Sequence, residues 1–498
     1  GLVDGPQTGV RLAPGAELTV IVTFTPSRSG LHEGNIPFYI SSTSNSSPEV
    51  TLRGTGSESA LLISPNELDF GVIGVNCSTP NRAITIYNTG SQATRIERIE
   101  IPTGVTTEFQ LGSVPMGLPS PPGAGVSIAP GQSIEFTVRY RANDVGSDTG
   151  LLHVFEAGNT EPYVIPLYGE GSTDPVNEDR FTQLETPEVD ILFVIDNSCS
   201  MSEEQASLTA NFQSFIQFAD AQGLAYQISV VSTDMQGGFG GPQCSGNPAP
   251  QRPNGMDQAA CGYFADGNGD NTQQNPDWRI ITPDEQPSAE VAFTAIATQG
   301  TSGAGTEKGL ESAYQALSSP LITGWNTGFL RPDAYLALIF ISDEEDQSPN
   351  TVDFYVNYFR AIKGFRNANL FSASAIVVPE GGGGLGGSNS GLRYMEVADR
   401  TGGIFESILT TDWAAALQNL GLSVFGYKSR FFLSNQPVSG TIEVLVNGVV
   451  VGSSGNGTTP SGQVLWTYEG AGNSVNFATL AIPEPGSEIV IRYVAECL

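Results

Sequence analysis

The sequence predicts a multidomain chain: β-sandwich repeats, then a doubly wound α/β domain, then a small β-sandwich. Three observations carry this. Pro-Gly turns punctuate alternating β-rich runs in the first third of the chain. Continuous apolar runs, Ile191 to Ile195 and Leu336 to Ile341, recur between helical stripes in the middle. Short alternating runs return at the end, two of them joined by the Asn447-Gly448 turn. Pro-Gly turns between alternating runs are typical of sandwiches, and Asn-Gly is a hairpin turn. An apolar run too short for a helix reads as a strand buried on both faces, as in a parallel sheet. At 498 residues the chain exceeds one core, and three or four domains are expected.

Two N-terminal stretches match. Leu12-Ala-Pro14-Gly15 with its following β-rich run corresponds to Ile128-Ala-Pro130-Gly131 with its own, and they end alike in Gly54-Thr-Gly56 and Gly169-Glu-Gly171. The second copy alone has a front half, with Leu68-Asp-Phe70-Gly71 and Tyr87-Asn88-Thr89-Gly90. Residues 1–57 therefore read as a partial immunoglobulin-like sandwich and 58–173 as a full one, and the chain is expected to be a piece of a longer one. These motifs resemble the ASH/Hydin type of immunoglobulin-like repeat, as in bacterial choice-of-anchor D proteins, which implies a spacer or docking stalk. Residues 174–184 read as a polar linker.

The α/β domain is expected over 185–426. Its first apolar run stops at Asp196, and Ser198 and Ser200 follow at alternate positions. Ser202-Glu-Glu-Gln205 reads as a capping box, opening a helix with Leu208, Phe212, Phe215, Ile216 and Ala219 as its stripe. One carboxylate and two hydroxyls thus lie on a strand-to-helix loop, where open α/β sheets bind ligands. All are hard oxygens, which suit a cation such as Mg²⁺. Further strands are expected at Tyr226 to Thr233, Ala334 to Ser342, Leu370 to Val378 and Gly403 to Ser407. Helices are expected from Ala289 to Thr298, after Thr306, and from Trp413 to Val424.

Asp-x-Ser-x-Ser after a first buried strand resembles the metal-ion-dependent adhesion site of von Willebrand factor A (integrin I-like, Rossmann-like) domains. That resemblance adds a Thr from a loop before a helix, matched by Thr306, and a second Asp after a later strand, matched by Asp343. Glu344 departs from the family's Gly, and Glu344-Glu345-Asp346 also reads as a solvated acidic loop. The implied cation is Mg²⁺, or Mn²⁺ or Ca²⁺, held by Asp196, Ser198, Ser200, Thr306 and Asp343. Read without the resemblance, Thr306 is a helix cap.

An insertion from about 234 to 277 carries Cys244 and Cys261, the best candidates for a disulfide, which implies an oxidising compartment. Within it Asp266, Asn268 and Asp270 resemble the start of a calcium loop; without the turn Gly or flanking helices, a polar turn is the favoured reading. Cys199 stands where the family commonly has Gly. It reads as a small buried hydrophobe or a disulfide partner of Cys77 or Cys497 in preference to a nucleophile. Residues 427–498 are expected to form the terminal sandwich.

The net charge of −31, from 52 acids and 21 bases, excludes nucleic-acid and anionic-membrane partners. No apolar run reaches the length of a membrane span. The two histidines, His32 and His153, lie outside the central domain, which excludes a His-zinc site or a Ser-His-Asp triad around Asp196. The expectation is a non-enzymatic, metal-dependent adhesion module, extracellular or on a bacterial surface, that binds an acidic group on a protein or surface glycoconjugate. A structural or assembly subunit is the alternative, and a metal-dependent hydrolase a more distant one.

Overall fold

The computed structural model describes residues 30–37 and 49–56 and, within 61–497, all but 90–91, 103–107, 119–124, 184–187, 237–243, 245–258, 268–277, 332–333, 364–369, 383–389 and 471. The chain divides into two units, Gly1–Ser59 and Ala60–Leu498. The first is described through one antiparallel pair, β1 (Gly30–Pro37) with β2 (Glu49–Gly56).

The second unit opens with a sandwich. Its strands are β3 (Leu61–Ser64), β4 (Leu68–Gly74), β5 (Arg82–Asn88), β6 (Thr94–Glu100), β7 (Phe109–Leu111), β8 (Val126–Ile128), β9 (Ser133–Tyr140), β10 (Gly146–Glu156) and β11 (Tyr163–Ser172). One sheet runs β4-β11-β10-β6-β8 and the other β3-β5-β9-β7. Burial alternates along β9 and β11, as expected of sheets with one wet face. The inward residues, among them Phe70, Phe109, Phe136 and Tyr140, form one core.

The expected linker is the first departure from the sequence reading. Residues 174–184 hold a strand, β12 (Val176–Thr182), paired antiparallel along its whole length with the last strand of the chain. Its composition is polar because it is an edge strand with solvent on one side, and Arg180 and Glu178 form an exposed ion pair there.

The chain then enters the α/β domain. Its elements are β13 (Val189–Ile195), α1 (Ser202–Ala210), α2 (Phe212–Gln222), β14 (Tyr226–Ser232), α3 (Ala289–Ala297), α4 (Gly309–Ala316), β15 (Tyr335–Ser342), α5 (Val352–Ile362), β16 (Phe371–Val377), α6 (Leu392–Thr401), β17 (Phe405–Ser407) and α7 (Trp413–Phe425). The five strands are all parallel, in the order β14-β13-β15-β16-β17. Every residue of β13, β15 and β16 is buried. Alternate residues feed opposite faces. Ile191, Phe193 and Ile195 pack with α1, α2, α3 and α7. Leu192 and Val194 pack with α4, α5 and α6. The chain runs outward from β13 in both directions, so the carboxyl ends of β13 and β15 border a topological switch point.

Two local expectations fail here. The stripe from Leu208 to Ala219 spans two helices, broken at Asn211, whose Nδ2 donates to Ser207 O at 2.8 Å. A side-chain amide that bonds the backbone competes with the helix ladder. The capping box does not form: Met201 is the N-cap of α1, without a side-chain cap, and Gln205 turns inward instead.

The chain leaves the α/β domain into β18 (Arg430–Phe432), β19 (Glu443–Val446), β20 (Val449–Val450), β21 (Trp466–Glu469), β22 (Ser474–Phe477) and β23 (Glu488–Val494). Sheets β12-β23-β19-β20 and β18-β22-β21 close over Trp466, Val444, Phe477 and Ile491. Asn447 and Gly448 take φ of 50° and 78°, as a tight primed turn requires. Because β12 belongs to this sandwich, the α/β domain is an insertion between its first and second strands. Gln183 and Lys428 join the two crossings: Lys428 N donates to Gln183 Oε1 at 3.1 Å, and Gln183 Nε2 donates to Lys428 O at 3.0 Å.

The three bodies of this unit are fastened to one another. Asn177 of β12 exchanges two hydrogen bonds with Val72, at 2.9 and 2.7 Å. Gly71 beside it has φ +68°, and a Cβ there would overlap Asn177 Oδ1. Tyr87 leaves its own sandwich and is buried among Phe354, Tyr358 and Tyr314 of the α/β domain. A disulfide joins Cys77 to Cys497, 420 residues apart. The second of the two expected stalk repeats is therefore packed against the domain it precedes. Among the described residues no helix is long and apolar enough to cross a membrane.

Candidate metal centre

The loops at the carboxyl ends of β13 and β15 assemble the candidate site. Asp196 continues the sheet ladder, its N–H donating to Ile341 O at 2.9 Å, and its side chain is fully buried. Oδ1 accepts from Ser198 N at 2.8 Å, which folds the loop back on the carboxylate. Oδ2 accepts from Ser342 Oγ at 2.6 Å, tying β13 to the strand end that precedes Asp343. The hydroxyls of Ser198 and Ser200 lie 3.2 Å apart. Ser198 is buried and Ser200 exposed, so the hydroxyl pair runs from the interior to the surface.

A third loop, 300–308, closes on these two. Gln205 Nε2 donates to Asp196 O at 2.8 Å and to Gly300 O at 2.9 Å, which is why it turns away from the helix start. Gly303 N donates to Asn197 O at 2.9 Å, and a Cβ on Gly303 would overlap the Asn197 side chain. Thr306 is half-buried on this loop and is not a helix cap; α4 starts three residues later. Its neighbour Glu307 is fully buried. One Glu307 oxygen accepts from Thr233 Oγ1; the other receives no N–H or O–H, and the carboxyl faces Asp196.

Five acidic side chains are linked pairwise by charge: Asp196 with Glu307 and Asp343, Glu307 with Glu344, and Asp343 with Glu204 and Glu344. Burial pushes Asp196 up to about 6, against the hydrogen bonds from Ser342 and Ser198 and with help from the Asp343 charge. Burial, then the Asp196 charge, pushes Glu307 up further. Glu204 and Glu344 are raised by burial and by Asp343. Buried oxygens of Glu204, Glu307 and Asp343 lack a hydrogen-bond partner. Among the described residues no Lys or Arg forms an ion pair with any of the five. An orphaned carboxylate oxygen away from water costs about 1–3 kcal/mol or more. A cation fits this donor chemistry. No three His, Cys, Asp or Glu among the described residues converge as a metal-holding group, so a cation here would have to draw on hydroxyl oxygens as well.

The sequence-expected residues are brought together unequally. Asp196, Ser198 and Ser200 share one loop, and Asp343 adjoins it through Ser342. Thr306 reaches the cluster through Glu307, and no hydrogen bond among the described residues ties its hydroxyl to the other four. Sequence reasoning missed Glu307, Ser342 and Gln205; a buried acid one residue from a candidate ligand has no local signature. Cys199 is neither buried nor bridged. It is an exposed free thiol between the two serines, because the loop turns position 199 outward while Cys77 and Cys497 take each other.

Cys244 and Cys261 form the expected disulfide. Of the calcium-loop candidates, Asp266 is buried and its carbonyl accepts from Trp278 N at 3.2 Å, while Asn268 and Asp270 lie outside the described residues. The run Glu344-Glu345-Asp346 is not a solvated loop. Glu345 accepts from Leu392 N and Arg393 N at 3.0 Å each and caps α6; Asp346 is buried, accepts from Leu310 N at 3.1 Å and caps α4.

No protein-family model matches the chain, and no curated protein matches it. Among solved structures it is similar to proximal thread matrix protein 1 (PTMP1) from the mussel byssus. Identity is 10% and the TM-score 0.29, over 51% of this chain and 52% of that one, about half the length of that protein. It is also similar to the ASH / PapD-like domain 7 of human CEP192, at 11% identity and a TM-score of 0.17, over 24% of this chain and 90% of that one. A C. elegans MSP family member, WR4, is similar at 9% identity and 0.16, over 22% and 99%. At these scores the likenesses carry no argument, and the architecture rests on the strands, sheets and cores described above.

Proposed function

We propose that residues 185–426 form a von Willebrand factor A-type adhesion module, in which a divalent cation on the Asp196 loop takes up an acidic group from an extracellular partner. The observation that carries this reading is the placement of Asp196, Ser198, Ser200 and Asp343 at the carboxyl ends of adjacent parallel strands, with the buried Asp343 Oδ1 left unpaired. Asp196 and Asp343, with the hydroxyls of Ser198, Ser200 and Thr306, would hold Mg²⁺, Mn²⁺ or Ca²⁺. Bound there, the cation supplies a Lewis-acidic position for an outside carboxylate. The chain's own residues do the positioning. Ser342 and the Ser198 N–H fix the Asp196 carboxylate, and Gln205 locks the Gly300 loop to it.

Two disulfides fit an oxidising compartment, and we place the protein outside the cell or on a bacterial surface. The adhesion reading is non-enzymatic: the hydroxyls act as ligands, and no histidine accompanies them. A structural subunit, with the cation serving stability alone, is the second reading; the shared core at Tyr87 and the Cys77–Cys497 bridge favour it. Pull-down of surface components by wild type and by Thr306→Ala, in Mg²⁺ and in EDTA, separates the two. Adhesion requires capture by wild type in Mg²⁺ alone. Equal capture in all four conditions, with the fold intact, means a scaffold.

A further inference from the structure

The first full sandwich, α5 and the terminal sandwich meet around a cleft of about 1250 Å³, far from the Asp196 loop in sequence. Pockets for organic ligands favour such domain junctions and run to about 1,000 Å³, so this one exceeds the needs of a lone ion. Three arginines line it, and two are fully used. Arg82 donates to Asp69 O and to Ser434 O and Asn435 Oδ1 across the junction. Arg180 pairs with Glu178 and Glu488.

Arg360, near the end of α5, differs. Its guanidinium lies over the Phe432 ring, 5.3 Å from the centroid, and Nη2 donates to Arg400 O at 2.6 Å. No carboxylate among the described residues pairs with it. Burial, and then the charges of Arg400 and Arg430, push its pKa down to about 10. Arg400 has Asp353 and Glu396 as partners, and Arg430 has Glu469. Arg360 alone is a partly desolvated cation with cationic neighbours and an open cleft beside it. Asn357, three residues earlier on the same helix face, lines the cleft with it.

A guanidinium with one edge and one face occupied keeps donors for a planar oxyanion. The rest of the cleft narrows the ligand. Asp69, Asp148, Glu170, Glu178 and Asp179 also line it, and they repel a polyanion while accepting hydrogen bonds from hydroxyls. We propose that this cleft binds a hydroxylated monocarboxylate of sugar-acid size, with its carboxylate on Arg360 and its hydroxyls on the cleft's acidic side chains. This ligand neutralises the arginine that, of the three lining the cleft, has only cationic neighbours, and it adds a single negative charge.

The test is isothermal titration of the full chain with glucuronate, with glucose and with inorganic sulfate, in EDTA so that the Asp196 loop takes no part. Glucuronate is expected to bind, and glucose to bind roughly ten- to hundredfold more weakly, the loss that goes with a charged hydrogen bond. Arg360→Gln should remove the preference for the acid. Arg360→Lys keeps the charge without the planar fork and should be several-fold weaker than wild type, at an unchanged melting temperature. No glucuronate binding by wild type, equal binding of glucose and glucuronate, or an unaffected Arg360→Gln overturns the proposal. Sulfate bound as tightly as glucuronate overturns the sugar-acid assignment.

Discussion

Asp196 is a buried carboxylate raised to about 6, and this has a signed consequence for stability. A carboxyl whose folded pKa exceeds its unfolded value contributes fully below the unfolded pKa, near 4, and that contribution is lost as pH rises through the folded pKa. Asp346, also raised to about 6 by burial, acts in the same direction. Lys428, lowered to about 7 by burial, acts with the opposite sign from around that pH upward, where the unfolded chain keeps a proton the fold has released. Cation-free protein should therefore melt at a higher temperature at pH 5 than at pH 7, and Asp196→Asn should narrow the difference, leaving the share of Asp346. Scanning calorimetry checks both; a cation-free protein that is more stable at pH 7 contradicts the environment assigned to Asp196. The candidate ligands were legible as residue types because Asp, Ser and Ser fall at fixed spacing beside an apolar run. The acids that complete the cluster were not. Glu307 acquires its character from burial beside Thr233 and Asp196, both distant in sequence, and Glu204 from burial and then the charge of Asp343.

At the scale of elements, the acidic run after β15 is a joint. Glu345 caps α6 and Asp346 caps α4, both from outside the helix each serves. Glu345→Ala should destabilise by about 1 kcal/mol, the usual cost of losing a cap, and hydrogen exchange should show α6 opening at its first turn. Unchanged protection at Leu392 and Arg393 contradicts the capping. Buried strands were readable because residues 191–195 and 336–341 have no polar alternative. Helices α5 and α6 were not, since α5 offers only Thr351 and Asp353 at its start and α6 takes its cap from another loop. Strand β12 looked like a linker because its partner lies at the far end of the chain, and no local pattern reports a pairing at that distance.

At the scale of the molecule, the second unit is interlocked and not a string of beads. The α/β domain interrupts the terminal sandwich, Tyr87 fills an aromatic pocket of that domain, and Cys77–Cys497 closes the circuit. Tyr87→Ala should cost about 3–5 kcal/mol, as for other large buried aromatic side chains, and should lower the melting of the sandwich and the α/β domain together. Separate transitions, with only one displaced, contradict the shared core. Replacing Cys77 by Ser should destabilise by on the order of 5 kcal/mol in the chain-entropy account of a long closed loop, and denaturant melts of oxidised and reduced protein check it.

The proposed adhesion function depends on a divalent cation held at the Asp196 loop. A ligand that binds only the folded state stabilises it by about 2.7 kcal/mol at a hundredfold excess over Kd. The most direct measurement is calorimetric titration of EDTA-treated, desalted protein with Mg²⁺, Mn²⁺ and Ca²⁺, comparing wild type with Asp196→Ala. Wild type should show one site and Asp196→Ala none, with both proteins folded. Equal binding by the two, or none by wild type, contradicts a cation held at that loop.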